Sequence, residues 1–452
     1  MDYDLILTGD LVTPTGVLRG GGLGVSGGRI VAVWPSTPPD ARAAETLDAS
    51  GCWVLPGAID AHVHCFSAPQ EGFVHATRAA AAGGVTTIVE MPYDAGAPVN
   101  ARPVLDRKIE RLREEAVVDV ALLGTIRKTG GLDEIEPLAD GGVCGFKVSM
   151  FETDPQRFPK IADGELLQAF RRSREVGLPV GVHAEDGDII DPLVAAARAA
   201  GRTYPRAHCE TRPPVSETAA VALGLELAAA TQVQFHVYHA SLPRSFELVE
   251  RYRQQGLSVT AETCPHYLLL DEGDMDHLGG FGKINPPLRA PDAVAGLWDL
   301  LAQGRVDLVS SDHAPWPAER KTDRADIFAN ASGAPGVETL LPLVYSAGVA
   351  AGRLSIEQCV AVLAERPART FKLFPRKGQL APGADADLVI LDPRVSWTLR
   401  AADLHSSAGW TPYEGREMEG RVVRTVVRGK TVYLDGTVVG APGDGQFVAA
   451  QS

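Results

Sequence analysis

Gly57-Ala-Ile-Asp-Ala-His-Val-His64 is an apolar run that ends in two histidines one residue apart. Side chains alternate across a strand, so positions two apart share a face. A strand over 58–61 therefore delivers His62 and His64 on one face, where the strand gives way to a loop. Two imidazoles so placed can grip one cation, because zinc and other first-row metals accept histidine nitrogen and a rigid strand sets part of the geometry in advance. An ordinary half-buried strand can carry the same pair, so the reading depends on what surrounds it.

Outward from this run, apolar strand-like stretches alternate with Ala- and Leu-rich helical ones, the rhythm of βα units in a parallel barrel. The strand candidates are 58–61, 86–90, 119–123, 145–149, 179–183, 234–239, 258–263 and 306–310. They fall within about 255 residues, near the roughly 250 of an eight-stranded barrel. The flanks differ. At 4–7, 24–25, 29–33, 45–48 and 52–55, and again at 387–392, 422–427, 430–433 and 437–439, short alternating runs are punctuated by Gly and Asp, the pattern of antiparallel strands. The expected class is α/β: a (β/α)8 TIM-type barrel over 55–380, with a small β-sandwich built from both chain termini, residues 1–54 and 381–452.

Composition agrees. The 452 residues are 45% hydrophobic and 22% charged, a globular balance with material for two structural units. No run approaches the roughly 20 apolar residues that cross a bilayer, and the first ten residues mix acids with apolar positions, unlike an export signal. A cytoplasmic protein without a membrane partner is expected. Cys52, Cys65, Cys144, Cys209, Cys264 and Cys359 lack CxxC spacing, which predicts reduced, mostly buried thiols. A net charge of −14 with no dense basic run disfavours nucleic acid, and no such partner is expected.

Further candidate ligands sit at the C-terminal ends of predicted strands, where barrel active sites are built. Lys147 lies inside Gly145-Phe-Lys-Val-Ser149, where an unpaired ammonium is costly to bury. Burial and neighbouring cations lower a lysine pKa and expose an amine that can capture CO2 as a carbamate; a surface lysine or an ion pair is the plainer alternative. His183 and His239 each stand where a strand runs into its loop. Asp312 ends Leu308-Val-Ser-Ser-Asp312 as a carboxylate able to bind metal and take a proton from water, or to cap a helix. His236, His266 and His313 are read as hydrogen-bonded structural histidines. Six metal-competent groups on five predicted strands suit a two-metal centre for hydrolysis, with divalent zinc the leading ion and manganese, cobalt or iron compatible with the same donors.

These residues resemble the amidohydrolase superfamily, and within it the cyclic amidohydrolases: allantoinases, hydantoinases or dihydropyrimidinases, and dihydroorotases. The resemblance rests on Val54-Leu-Pro-Gly-Ala-Ile-Asp-Ala-His-Val-His64, Gly145-Phe-Lys147, Val182-His-Ala-Glu185, His239-Ala-Ser241, Glu262-Thr-Cys-Pro-His266, Asn285-Pro-Pro-Leu-Arg289, Ser311-Asp-His313 and Gly333-Ala-Pro-Gly-Val-Glu338. It implies two metals held by His62, His64, Lys147, His183, His239 and Asp312, with Lys147 carboxylated by CO2 and bridging. It also implies a hydroxide attacking a ring carbonyl, with Asp312 as general base and then acid. Asn285 and the backbone of Gly333 and Ala334 are the implied substrate contacts, and the assembly is expected to be a homo-oligomer, a tetramer or dimer.

Departures narrow the substrate. Phe66 stands where dihydroorotases carry a carboxylate-clasping arginine, and Val148-Ser-Met-Phe-Glu152 lacks the tyrosine of dihydropyrimidinases. The segments Ser396-Trp-Thr-Leu399, Thr411-Pro-Tyr-Glu-Gly-Arg416, Gly445-Gln-Phe447 and Met91-Pro92 are similar to allantoinases, which makes an allantoinase-like ring opening the leading expectation. The Gly333–Glu338 run looks more like hydantoinases, so another hydantoin, lactam or imide is the alternative. Cys65-Phe-Ser-Ala-Pro-Gln-Glu-Gly-Phe73 replaces the segment that allantoinases carry after the histidine pair. A different hydrolysis on the same metals, or a non-catalytic protein resembling the dihydropyrimidinase-like family, are the remaining readings.

Overall fold

The computed structural model describes residues 2–451. Four strands come first: β1 (Asp2–Thr13), β2 (Gly16–Ser26), β3 (Arg29–Trp34) and β4 (Arg42–Pro56). Eight shorter ones follow: β5 (Ala58–Val63), β6 (Val85–Glu90), β7 (Asp119–Leu122), β8 (Phe146–Ser149), β9 (Val180–His183), β10 (Phe235–Val237), β11 (Val259–Thr263) and β12 (Leu308–Val309). The last group is β13 (Leu388–Thr398), β14 (Glu417–Val427), β15 (Lys430–Leu434) and β16 (Thr437–Val438).

β5 to β12 coincide with the eight expected barrel strands and lie side by side in sequence order, β5-β6-β7 in one run and β8 to β12 in another. Two seams join the runs. Gly124 pairs with Phe146, and Val63 pairs with His313. At the second seam His64 N–H donates to the His313 carbonyl at 2.8 Å and His313 N–H to the His62 carbonyl at 3.1 Å, so the closure runs through candidate site residues. Every residue of β5 and β6 is buried, which is why both faces read as apolar. Helices such as Gly72–Ala82, Asp163–Glu175 and Pro214–Thr231 form the outer layer, and Ala76, Ala79 and Ala80 are small enough to bury the first of them closely.

The terminal strands make one eight-stranded sheet, ordered β16-β15-β14-β13-β4-β1-β2-β3. It curls until β3 meets the chain before β13: Ile30 N–H donates to the Ala384 carbonyl and Ala386 N–H to that of Gly28, each at 2.9 Å. The halves enclose Leu7, Leu11, Leu23, Val54, Leu388 and Val426, all fully buried, which gives the sandwich its own core. Two expectations change here. β1 and β4 pair in parallel rather than antiparallel, and the separate strands expected at 45–48 and 52–55 are one strand. Gly51 reads as a turn and does take a positive φ of 77°. The ladder absorbs it as a bulge, stepping from Gly9 opposite Ala49 to Asp10 opposite Trp53.

The division expected at 381 separates the chain by sequence more than by packing. Between β13 and β14, Trp410 and Tyr413 are buried in the barrel core, and Trp410 Nε1 donates to the Trp316 carbonyl at 2.8 Å. Beyond β16, Val120 N–H donates to the Gln446 carbonyl and Val448 N–H to that of Val120, each at 2.9 Å, so this stretch lies along β7. Buried Lys377 joins the units: its Nζ lies 2.5 Å from Asp119, 2.6 Å from Asp387 and 3.0 Å from Asp385. Those carboxylates thus already surround a cation, and Arg428 also donates to Asp119. No helix among the described residues is long and apolar enough to cross a membrane, and the six cysteines are buried and free.

Candidate metal centre

His62 lies in β5 and His64 just past it, Lys147 in β8, His183 at the end of β9, and His239 and Asp312 shortly beyond β10 and β12. The barrel brings all of them, buried, to its C-terminal mouth. His62 Nε2 is 3.0 Å from Asp312 Oδ1, and His64 Nε2 is 3.6 Å from the same oxygen. Donor atoms of this trio lie within 4.8 Å of one another. Lys147 Nζ is 2.6 Å from His62 Nε2. His183 Nδ1 and His239 Nε2 face each other at 2.9 Å.

The ring nitrogens are oriented from behind. Glu262 Oε1 takes His62 Nδ1 at 2.7 Å, and Glu185 Oε2 takes His183 Nε2 at 3.0 Å. Protons held there turn the lone pairs of His62 Nε2 and His183 Nδ1 toward the cavity. His239 Nδ1 is buried without a partner. Facing lone pairs beside a carboxylate are the donor set that divalent cations require, and His62, His64 and Asp312 fit one such ion, with His183 and His239 facing each other beside it.

Electrostatics point the same way at three of the four histidines; at His62 burial and Lys147 act downward, but Asp312 and Glu262 outweigh them and raise its pKa. Burial pushes His64 down to about 3 and lowers His183 and His239, so all three present neutral nitrogen. Burial also pulls Lys147 down to about 8. For Asp312, burial acts upward, but His62 and hydrogen bonds with His62 and His64 outweigh it and hold the carboxyl well below its usual range. His239 and Asp312 adopt positive φ, 39° and 50°, which is uncommon for residues with a Cβ and marks backbone strained to aim these side chains.

The supporting layer is polar and paired. Asp60 accepts from His62 N–H at 3.2 Å and Ser311 N–H at 3.0 Å, tying β5 to the residue before Asp312. Arg212 holds Glu185 at 2.6 Å, while Arg289 reaches the Arg212 carbonyl at 2.5 Å and Glu217 at 3.1 Å. His236 spends its nitrogens on Thr260 and Glu262, and His313 accepts from Gly336 N–H at 3.0 Å and meets Glu71 at 3.2 Å, so both rings are held by hydrogen bonds. Burial lowers His266 to about 4, and its Nε2 has no partner.

Above the donors a cavity is walled by Tyr93 and Phe158, whose rings stack at 3.7 Å, and by Asn285, Trp316, Arg157 and Gly333. The Asn285 Oδ1 is buried without a partner. At Gly333, which lines the cavity, the backbone is also engaged within its own loop. Its N–H donates to the Lys283 carbonyl at 3.0 Å and its carbonyl accepts from Lys321 Nζ at 2.8 Å, because two buried lysines organise this loop. With φ at 115°, a Cβ there would also meet Ala314 at 2.6 Å. Ala334 stands behind the wall, its carbonyl taken by Ala314 N–H at 2.8 Å.

The unusual 65–73 segment has a structural use. Phe66 packs on Phe73 with centroids 4.9 Å apart, beneath the Arg111 guanidinium, while Ser67 faces the cavity. Glu185, Glu262, Arg157 and Trp316 are not singled out for roles by the sequence. Glu185 has the same-face spacing of two from His183, and Glu262 is a carboxylate inside a strand, as Lys147 is an ammonium inside one.

A parallel barrel with histidine, lysine and aspartate donors gathered at its mouth defines a metal-binding barrel protein of hydrolytic type. The chain belongs to the amidohydrolase family, whose model matches residues 53–432. It is 40% identical to an allantoinase of Rubrobacter xylanophilus over 99% of this chain and 98% of that one. It is 37% identical to an allantoinase of Deinococcus radiodurans, covering 98% of each. Among solved structures, an L-hydantoinase (dihydropyrimidinase) from Arthrobacter aurescens superposes with a TM-score of 0.96 at 34% identity, covering 99% of this chain and 100% of that one.

Proposed function

We propose that this chain is a metal-dependent hydrolase that opens a cyclic amide or ureide at a ring C–N bond, with allantoin as its leading substrate. The observation that carries the reading is the convergence of His62, His64 and Asp312 donor atoms within 4.8 Å, beside Lys147. Whole-length likeness to two allantoinases supports the choice of ring.

Two divalent ions, zinc foremost, would polarise the scissile carbonyl and lower the pKa of the attacking water. Asp312 accepts the proton from that water through a carboxylate oxygen and passes it to the ring nitrogen as the C–N bond breaks. The water oxygen stays on the carbonyl carbon and its second proton is released to solvent as the new acid ionises, so the products are a carboxylate and an N–H at the former ring nitrogen, with no covalent enzyme intermediate. Asn285, whose Oδ1 is buried without a partner in the cavity wall, would accept there from a ring N–H. Lys147 suits carboxylation: its amine is buried with no carboxylate in ion-pair reach among the described residues, and adding CO2 releases one proton and creates an anionic ligand. The reading extends to a cytoplasmic homo-oligomer, supported for the compartment by the free, buried cysteines.

A second reading, ring opening of another substituted hydantoin, is favoured by the hydantoinase superposition. The test is metal-replete protein offered allantoin, 5-substituted hydantoins and dihydrouracil, with products identified by mass. Allantoin should be the fastest to gain one water. A faster hydantoin selects the second reading, and no ring opened by the protein rejects both.

A further inference from the structure

We propose that Arg157 is the specificity-determining residue of the cavity, selecting rings whose substituent carries an acceptor oxygen, either a ureido carbonyl or a carboxylate. The inference rests on the ring-opening reading above and deepens it.

Arg157 lies on the loop between β8 and the helix Asp163–Glu175, and it lines the same cavity as His64 and Asp312. A closed turn fixes its backbone. Phe158 N–H donates to the Asp154 carbonyl at 2.9 Å, and Asp154 Oδ1 accepts from the N–H groups of Gln156 at 3.0 Å and Arg157 at 2.9 Å. The Asp154 carboxylate is thereby spent on backbone rather than on the guanidinium.

The side chain reaches toward two other loops. Its Nη1 meets the Ser67 carbonyl at a long 3.4 Å, and the guanidinium lies 5.6 Å from the Trp316 ring centre. A guanidinium has five N–H donors. Here it has that one weak acceptor and no carboxylate in ion-pair reach among the described residues. Apart from histidines, the other cationic side chain in the cavity wall is Lys147, which sits among the metal donors. Arg157 therefore brings an unspent planar donor fork to a partly desolvated rim, where acceptor oxygens gain most from charge-assisted bonds. It also supplies, from a different loop, the cation that Phe66 does not.

The experiment measures kcat/KM of metal-replete wild type, Arg157→Met and Arg157→Lys on unsubstituted hydantoin, allantoin and 5-carboxymethylhydantoin. The Met variant should lose about 10- to 100-fold on the two acceptor-bearing rings and change less than about threefold on hydantoin. The Lys variant, a point charge without the fork, should recover the carboxylate substrate more than the ureido one. A loss confined to one acceptor-bearing ring supports the proposal and names the substituent. Equal losses on all three rings in both variants, or no loss on any, overturn it while leaving the ring-opening reading intact. Wild type that opens none of the three overturns that reading and this inference together.

Discussion

Replacing Glu71 with alanine should destabilise the protein and slow it together, although the residue touches no candidate metal donor. Its buried carboxylate accepts from Ser407 N–H at 2.8 Å, Ser407 Oγ at 2.5 Å and Ser406 Oγ at 3.2 Å, and meets His313 Nε2 at 3.2 Å. Burial alone would raise its pKa, but the His313 and Ser407 bonds outweigh this and hold it below the ordinary value. Hydrogen bonds to a charged group contribute about 1.5–3 kcal/mol each. Because four of them share one carboxylate and the two serines are half-exposed, the summed loss is about 3–5 kcal/mol. His313 follows Asp312 directly and organises the Gly336 turn, so a loosened ring should lower kcat roughly tenfold, about 1.4 kcal/mol in the barrier. Urea unfolding followed by tryptophan fluorescence, with kcat on the best substrate, gives both numbers. Glu71→Gln, which keeps the shape and one acceptor oxygen, should fall between wild type and Glu71→Ala. An alanine variant within about 0.5 kcal/mol of wild type and unchanged in kcat refutes the latch.

Glu262→Gln weakens the hold on His62 Nδ1 and should cut metal affinity about 10- to 100-fold, read as metal retained during chelator titration. Lys147→Ala should lose most activity and regain part of it with short carboxylic acids, whereas wild-type metal content and rate would reject a carboxylated lysine. The His405 ring is raised above its ordinary pKa by its hydrogen bond to Glu338, despite opposing burial. Its contribution is therefore full below about pH 6.5 and is lost as pH rises through the raised folded value. Thermal midpoints measured upward from about pH 6 should show this slope in wild type and a flatter one in His405→Ala.

The barrel was legible because its strands are buried on both faces and announce themselves as apolar runs, as β5 and β6 do at every position. The meeting of the candidate donors at one mouth was legible because barrel chemistry collects at strand ends, where Lys147, His183, His239 and Asp312 stand with the histidine pair. Other features lay beyond local pattern. Nothing near Gly51 distinguishes a bulge from a turn until β1 pairs beside it. The return of 399–416 to the barrel depends on contacts such as Ser407 with Glu71, 336 positions apart. Arg157 looks like any solvated loop arginine until Ser67 and Trp316 are seen around the same cavity.

The stretch along β7 sets an order of events during synthesis. Val120 has partners in Gln446 and Val448, and the Gln446 N–H reaches back 327 positions to Asp119. At the usual 5–20 residues per second, roughly 15–65 s separate translation of the strand from translation of its neighbour. Throughout that interval the foot of β7 keeps bonding groups and apolar surface that its own side of the chain leaves uncovered. A nascent barrel with all its strands and candidate donors already synthesised still lacks, at its base, the segment that lies along β7.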